Sequence, residues 1–181
     1  MATSRVEVVV LGLAAEEPLY GYQLLERYRD RAMEYWVEVG RASVYQALHR
    51  LEREGSVAGR EQGRGGGPER RVYRITRAGR DRLRHALLER LSADTSRPEA
   101  SVAFGFGHLL RPQDLRRGIA ARTAALEDLD RRVGAEKARL EGEPGAGAQL
   151  ARRQLDLQGS LIRTERAWLA SMRRDTGRLR R

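Results

Sequence analysis

Between residues 61 and 76 the chain reads EQGRGGGPERRVYRIT, four glycines in five positions beside a cluster of arginines. Glycine mixed with fixed cations is the composition of a phosphate cradle, so nucleotide binding is the first chemistry to test. The spacing excludes it. A Walker loop requires GxxxxGK[ST] between a strand and a helix, whereas these glycines lead into a β-like segment with no lysine and no hydroxyl in place. The dinucleotide pattern GxGxxG fails as well, because the glycines stand at 63, 65, 66 and 67. Taken alone the stretch is a hairpin tip. Taken with its arginines it suits a larger polyanion.

No other constellation points to catalysis. The chain has no cysteine, which removes disulfides, thiolate metal sites and cysteine nucleophiles. His49, His85 and His108 have no ligand-like spacing and no recognisable acid/base partner. The expectation is a non-enzyme with no cofactor and no metal.

A second set of residues fits the polyanion better. In RASVYQALHRLEREG, Val44, Ala47, Leu48 and Leu51 recur at i, i+3, i+4 and i+7, and Gly55 is placed to end the helix in a left-handed cap. Opposite that stripe lie Ala42, Gln46, His49 and Arg53, flanked by Ser43, Tyr45 and Arg50. No acidic side chain falls on this face, since Glu52 and Glu54 project to its sides. A solvated basic face is the plainer account, and helices with basic outer faces are common. The order of the surrounding elements favours nucleic acid.

Val6, Val9, Val10 and Leu13 have helical period, although the β-branched run alone favours a strand. GYQLLERYRDRA is a second helix of about three turns with Leu24, Leu25 and Tyr28 on one side. YWVEV, residues 35–39, is a short strand candidate. SVAGRE and RRVYRIT are two strands around the glycine turn, with Tyr73 and Ile75 facing a core and Arg70, Val72 and Arg74 facing away. Thr76 is placed to cap a fourth helix carrying Leu83, Leu87 and Leu91. From Arg60 to Arg84 there are nine arginines and three acids, a net +6 in 25 residues. Helix, helix, short strand, helix, strand, basic loop, strand is the order of a winged helix-turn-helix. There the third helix enters the major groove and the hairpin reaches phosphates or the neighbouring minor groove.

Composition changes at the Ser/Pro-containing join SADTSRPEAS. SVAFGFGHLL beyond it reads as helical despite its glycines. From RPQD onward Leu115, Ile119, Arg122, Leu126, Leu129, Val133, Glu136 and Leu140 follow heptad spacing with two polar interruptions. GEPGAGA breaks the rhythm, and a second helix from about Gln149 resumes it with Leu150, Leu157, Leu161, Trp168 and Met172. Two helices alone bury little, so this seam should pack against another copy or against the first domain. The fold expected is mainly α with a small β hairpin. Its domains are a winged helix-turn-helix DNA-binding domain at 1–92 and a helical, coiled-coil-like domain at 97–181.

The bulk numbers agree. At 181 residues the chain is one small module plus an appendage. Its 35 basic residues, all arginine except Lys137, exceed 25 acidic ones for a formal charge of +10, which suits nucleic acid. VVVLGLAA reads as core rather than a signal peptide, and no apolar run approaches the ~20 residues of a membrane helix. The expected location is the cytoplasm, without membrane association.

LGLAAEEPLYGYQLLERY, YWVEVGRASVYQALHRLEREGSV and GPERRVYRITRAGRDRL together resemble the PadR family of bacterial transcriptional regulators. The resemblance is carried by Pro18, Gly21, Tyr22 and Trp36, then by Tyr45, Leu48, Leu51, Glu52 and Gly55. Gly67, Pro68, Tyr73, Ile75, Thr76 and Gly79 complete it. Ala42 stands where many members have glycine, and Ser56 where many have a larger apolar residue. The resemblance covers about the first half of the chain. It implies that the first segment is helix, that the C-terminal helices form a homodimer interface, and that the protein is a repressor on a pseudo-palindromic operator in double-stranded DNA. Gln46, His49, Arg50 and Arg53 are then the candidates for base edges or nearby phosphates. Ser43 and Tyr45 suit phosphates, and Arg64, Arg70 and Arg71 on the wing add affinity with little sequence preference. Family members often release DNA when a small aromatic or hydrophobic compound binds near the dimer interface. Phe104, Phe106, His108 and Trp168 are the residues that would line such an effector site, although aromatics at helical spacing are usually core. The alternative to DNA reading is a winged helix used only for protein contacts.

Overall fold

A computed structural model describes residues 3–62, 70–91 and 97–175 of the chain. The elements are α1 (Arg5–Glu16), β1 (Leu19–Tyr20), α2 (Gly21–Asp30), a 3-10 turn (Met33–Tyr35), α3 (Arg41–Arg53), β2 (Val57–Gln62) and β3 (Arg70–Ile75). They continue with α4 (Arg77–Leu91), α5 (Arg97–Gly105), a second 3-10 turn (Gly107–Leu109), α6 (Pro112–Leu140) and α7 (Ala146–Asp175). They form two compact units, one of Met1–Arg90 with Thr95–Arg111 and one of Leu91–Asp94 with Pro112–Arg181.

In the first unit α1 is the central rod. Ser4 and Glu7 close a capping box at its start. Every residue from Glu7 to Ala14 is buried, whereas Val6 keeps some exposure. The helical period expected for this segment is therefore correct and the one-sided stripe is not. A helix enclosed on all sides has no solvent face to keep polar, which is why its sequence looks strand-like.

The sheet is antiparallel in the order β1-β3-β2, with Leu19 opposite Tyr73 and Val57 opposite Ile75. Its third strand is the dipeptide Leu19–Tyr20, not YWVEV. Residues 33–35 form the 3-10 turn instead, entered through Ala32 at φ 51°. Met33 and Val37 are core side chains, the Tyr28 hydroxyl donates to the Val37 carbonyl, and the Trp36 ring lies against Gly105 too closely for a side chain there. Within YWVEV only Val37 is fully buried, Trp36 is half-buried and Tyr35 is exposed, so the aromatic and β-branched letters reflect single anchoring contacts and not strand pairing.

α3 buries Val44, Ala47, Leu48 and Leu51, the expected stripe. It ends with Gly55 at φ 69°, where Ser56 N–H donates to the Leu51 carbonyl and Gly55 N–H to that of Glu52, a Schellman pair. Thr76 caps α4 by accepting from Gly79 N–H at 3.0 Å, and its hydroxyl donates to the Gly55 carbonyl at 2.7 Å. The exit of α3 and the entry of α4 are thus locked together. Residues 97–111 belong to this unit, where the fully buried Phe106 ring packs on Gly12 beneath the Arg31 guanidinium.

The second unit is a helical hairpin. α6 contributes Leu115, Ile119, Leu126 and Leu140, and α7 contributes Gly159, Ile162 and Leu169. Arg122, one of the polar interruptions in the heptad pattern, pairs with Glu165 at 2.9 Å, both side chains buried. α7 begins at Ala146, three residues before the expected start. Its buried line also differs from the expected seam by one residue. Leu150, Leu157 and Trp168 are 70%, 50% and 45% exposed.

Candidate nucleic-acid interface

α3 presents Ala42, Ser43, Gln46, His49, Arg50 and Arg53 as one exposed face, with Tyr45 half-buried at its edge. This is the outward side expected from the helical period, and it carries no carboxylate. Tyr45 turns toward the start of α2, where a Cβ on Gly21 would come within 2.9 Å of its ring. Only glycine admits this approach.

Around Tyr45 lies an open cleft of about 570 Å³ lined by Tyr20, Gly21, Tyr22, Arg71 and Tyr73. The Tyr20 and Tyr22 rings stack at 5.7 Å with 10° between their planes. Burial raises the pKa of the Tyr73 phenol, and Glu52 adds to the shift. Its hydroxyl therefore remains a donor at neutral pH. Tyr20 and Tyr22 are absent from the DNA-contact candidates of the sequence, although Tyr22 is among the residues that carry the resemblance. Their only signal is the Gly-Tyr pair opening α2, because a cleft shared by four elements has no period along the chain.

Glu52, on the flank of α3, accepts from Gly59 N–H at 3.1 Å and from Arg71 at 2.6 Å. Arg71 also lies 3.7 Å from Glu61. Its pKa is raised first by the hydrogen bond to Glu52, so the cation is already engaged within the protein. Glu54 is held below the usual carboxylate range by its hydrogen bond from Arg82. Arg70 opens β3 opposite Gln62, and Arg64 lies outside the described residues.

The aromatic candidates are separately placed. Phe106 is core, Phe104 is half-buried, and His108 is exposed with Nε2 2.9 Å from Glu16 Oε1, all in the first unit. Trp168 is on α7 in the second. Among the described residues no group of three or more His, Asp or Glu could hold a metal ion, and no helix is long and apolar enough to cross a membrane.

Residues 10–85, from within α1 to within α4, match the model of the transcriptional regulator PadR-like family. This region is PadR-like. It contains α2, α3, the hairpin and the tyrosine cleft. No curated protein matches the chain. Among solved structures, Bacillus subtilis PadR in complex with operator DNA is 19% identical over 94% of this chain and 98% of that one, with a TM-score of 0.43. A PadR-like transcriptional regulator of Bacillus cereus is 28% identical over 44% of this chain and 74% of that one, with a TM-score of 0.37. The Vibrio cholerae virulence activator AphA is 17% identical over 97% and 99%, with a TM-score of 0.39. The PadR-like region itself has the order of a winged helix-turn-helix: three helices, then a hairpin whose inner strand pairs with a dipeptide between the first two.

Proposed function

We propose that the chain is a sequence-specific DNA-binding transcriptional regulator, a repressor that acts as a homodimer on a pseudo-palindromic operator. The observation that carries this reading is the acid-free exposed face of α3 beside a hairpin rich in arginine. α3 enters the major groove. Gln46 pairs with the N6/N7 edge of adenine, and Arg50 and Arg53 with O6/N7 of guanine, each such contact being worth about 1 to 3 kcal/mol of discrimination. His49 reads an adjacent base edge or phosphate.

Ser43 and Tyr45 contact the backbone, and Tyr20 and Tyr22 extend that contact from the cleft. Arg64 and Arg70 on the wing add attraction to phosphates without sequence preference. Arg71 serves mainly to hold the wing through Glu52. The exposed line Leu150, Leu157 and Trp168 supports a dimer, because an apolar stripe on a helix already packed on its other side suits a second copy. On a pseudo-palindromic operator the two α3 helices of the dimer read half-sites about one turn apart.

Release by a small aromatic or hydrophobic effector belongs to the same reading. It requires a compound with different affinity for the DNA-competent and DNA-incompetent dimers. Of the residues suggested for it, Phe104, His108 and Trp168 keep exposed surface and Phe106 does not.

Duplex binding across a salt series tests the reading. A DNA reader shows a steep fall of affinity with salt and a large specific-to-random ratio. A flat profile with no preference favours the protein-interaction module.

A further inference from the structure

We infer that Glu7 is a positioning residue for DNA reading, its buried carboxylate fixing the plane of the Arg50 guanidinium on the outer face of α3. The inference rests on the proposed DNA-reading role of α3. Glu7 lies in α1, far from the outer surface of the recognition helix in sequence, and its side chain is only 4% exposed. One carboxylate oxygen closes the capping box by accepting from Ser4 N–H at 2.8 Å, and lies 3.3 Å from Arg82 Nη2 of α4. The other oxygen lies 3.4 Å from Arg50 Nη1 of α3. A buried carboxylate is costly unless charged partners surround it, and Arg82 with the cap already supplies one side. Arg50 supplies the second, while its side chain stays 53% exposed. Among the described residues the Arg50 guanidinium makes no other hydrogen bond or ion pair, with Glu54 near enough only to feel its charge, so its remaining N–H groups are available to a partner outside the protein.

This geometry has two consequences for reading a base. Guanine offers O6 and N7 to two parallel N–H donors, so discrimination needs the guanidinium held in one plane. Glu7 restrains that plane from beneath. It also offsets the charge of Arg50 and so weakens the attraction of Arg50 to any phosphate. Both effects raise the ratio of specific to random binding rather than total affinity.

The test is a double-mutant cycle on the full chain. The probes are the genomic fragment most enriched by the wild-type protein and a random-sequence duplex of equal length. Glu7→Gln keeps an acceptor for Ser4 and nearly the same volume. The expected result is random-duplex affinity equal to or above wild type, with the specific-to-random ratio lowered on the order of tenfold. That loss vanishes in an Arg50→Ala background and persists in an Arg82→Ala background. An equal loss with and without Arg50, or an unchanged ratio, overturns the role and leaves Glu7 as a cap and partner of Arg82. If Glu7→Gln fails to fold, Glu7→Asp, which keeps the charge but withdraws it by one methylene, is carried through the same cycle with the same expected dependence on Arg50. A wild-type protein without preference for any duplex contradicts the DNA reading itself, and this role with it.

Discussion

The Glu52 carboxylate on α3 accepts two hydrogen bonds from Arg71 on β3, at 2.6 Å from Nη2 and 3.2 Å from Nε, through a single oxygen. The same oxygen accepts from Gly59 N–H on β2. A side chain at Gly59 would occupy the place of this pair. One carboxylate thus couples the candidate recognition helix to both strands of the wing.

Glu52→Ala should lower stability by about 1 kcal/mol, since it removes the acceptor of the Gly59 N–H, whereas the exposed Arg71 keeps water and Glu61. Arg71→Ala should cost less, because Gly59 keeps its acceptor. Urea denaturation measures both. On DNA, Arg71→Ala should weaken binding less than Arg64→Ala, because Arg71 is already paired with Glu52. Equal losses for the two arginines would show that Arg71 leaves Glu52 for a phosphate.

Gln46→Ala should change which sequence is preferred while leaving affinity for random duplex nearly intact. Arg64→Ala should weaken binding to all sequences alike and make the salt slope shallower by about one. Titrations of selected and random duplexes with each variant check this. An equal loss on both duplexes for Gln46→Ala would defeat its assignment to a base edge.

Two glycines should respond with opposite signs. In α4 a Cβ on Gly79 would meet the Ser56 backbone, with its carbonyl carbon 2.9 Å away, so Gly79→Ala should destabilise by about 1 to 3 kcal/mol. In α6 nothing lies within 4 Å of a Cβ on Gly134, so Gly134→Ala should stabilise by about 0.5 to 1 kcal/mol from helix propensity alone. Thermal or urea unfolding measures both, and a gain for Gly79→Ala would contradict the tight α3–α4 junction.

Leu157→Glu should convert the proposed dimer to a monomer without unfolding it, because Leu157 is half exposed and lies off the α6–α7 seam. Sedimentation and circular dichroism read the two effects separately. Retained dimer would remove α7's exposed stripe from the interface.

These relationships divide by how far apart their partners lie in sequence. The α3 stripe, the left-handed Gly55 and the Thr76 cap depend on neighbours within a few residues, and period and cap chemistry expose them directly. The outer face of α3 follows from the same period. α1 was harder to place because burial on every side erases the polar face that reveals a helix. β1 is a dipeptide defined only by its pairing with Tyr73 and Val72, more than 50 residues away. The α7 seam slipped for a related reason. Heptad spacing steps through Leu150, Leu157, Leu161, Trp168 and Met172, whereas α6 covers the line through Gly159, Ile162 and Leu169, next to the buried Arg122–Glu165 pair, and a glycine in that line carries no apolar signal. The Glu7–Arg50 approach and the tyrosine cleft join separate elements, so no local pattern announces them.

The central claim is that α3 and the wing read a DNA sequence. Selection of fragmented genomic DNA by the purified full chain, followed by sequencing, tests it most directly. The account predicts enrichment of one motif with two inverted halves about one helical turn apart, lost for a protein carrying Gln46→Ala and Arg53→Ala. Enrichment of no motif, with recovery proportional to fragment length at every salt concentration, would contradict it.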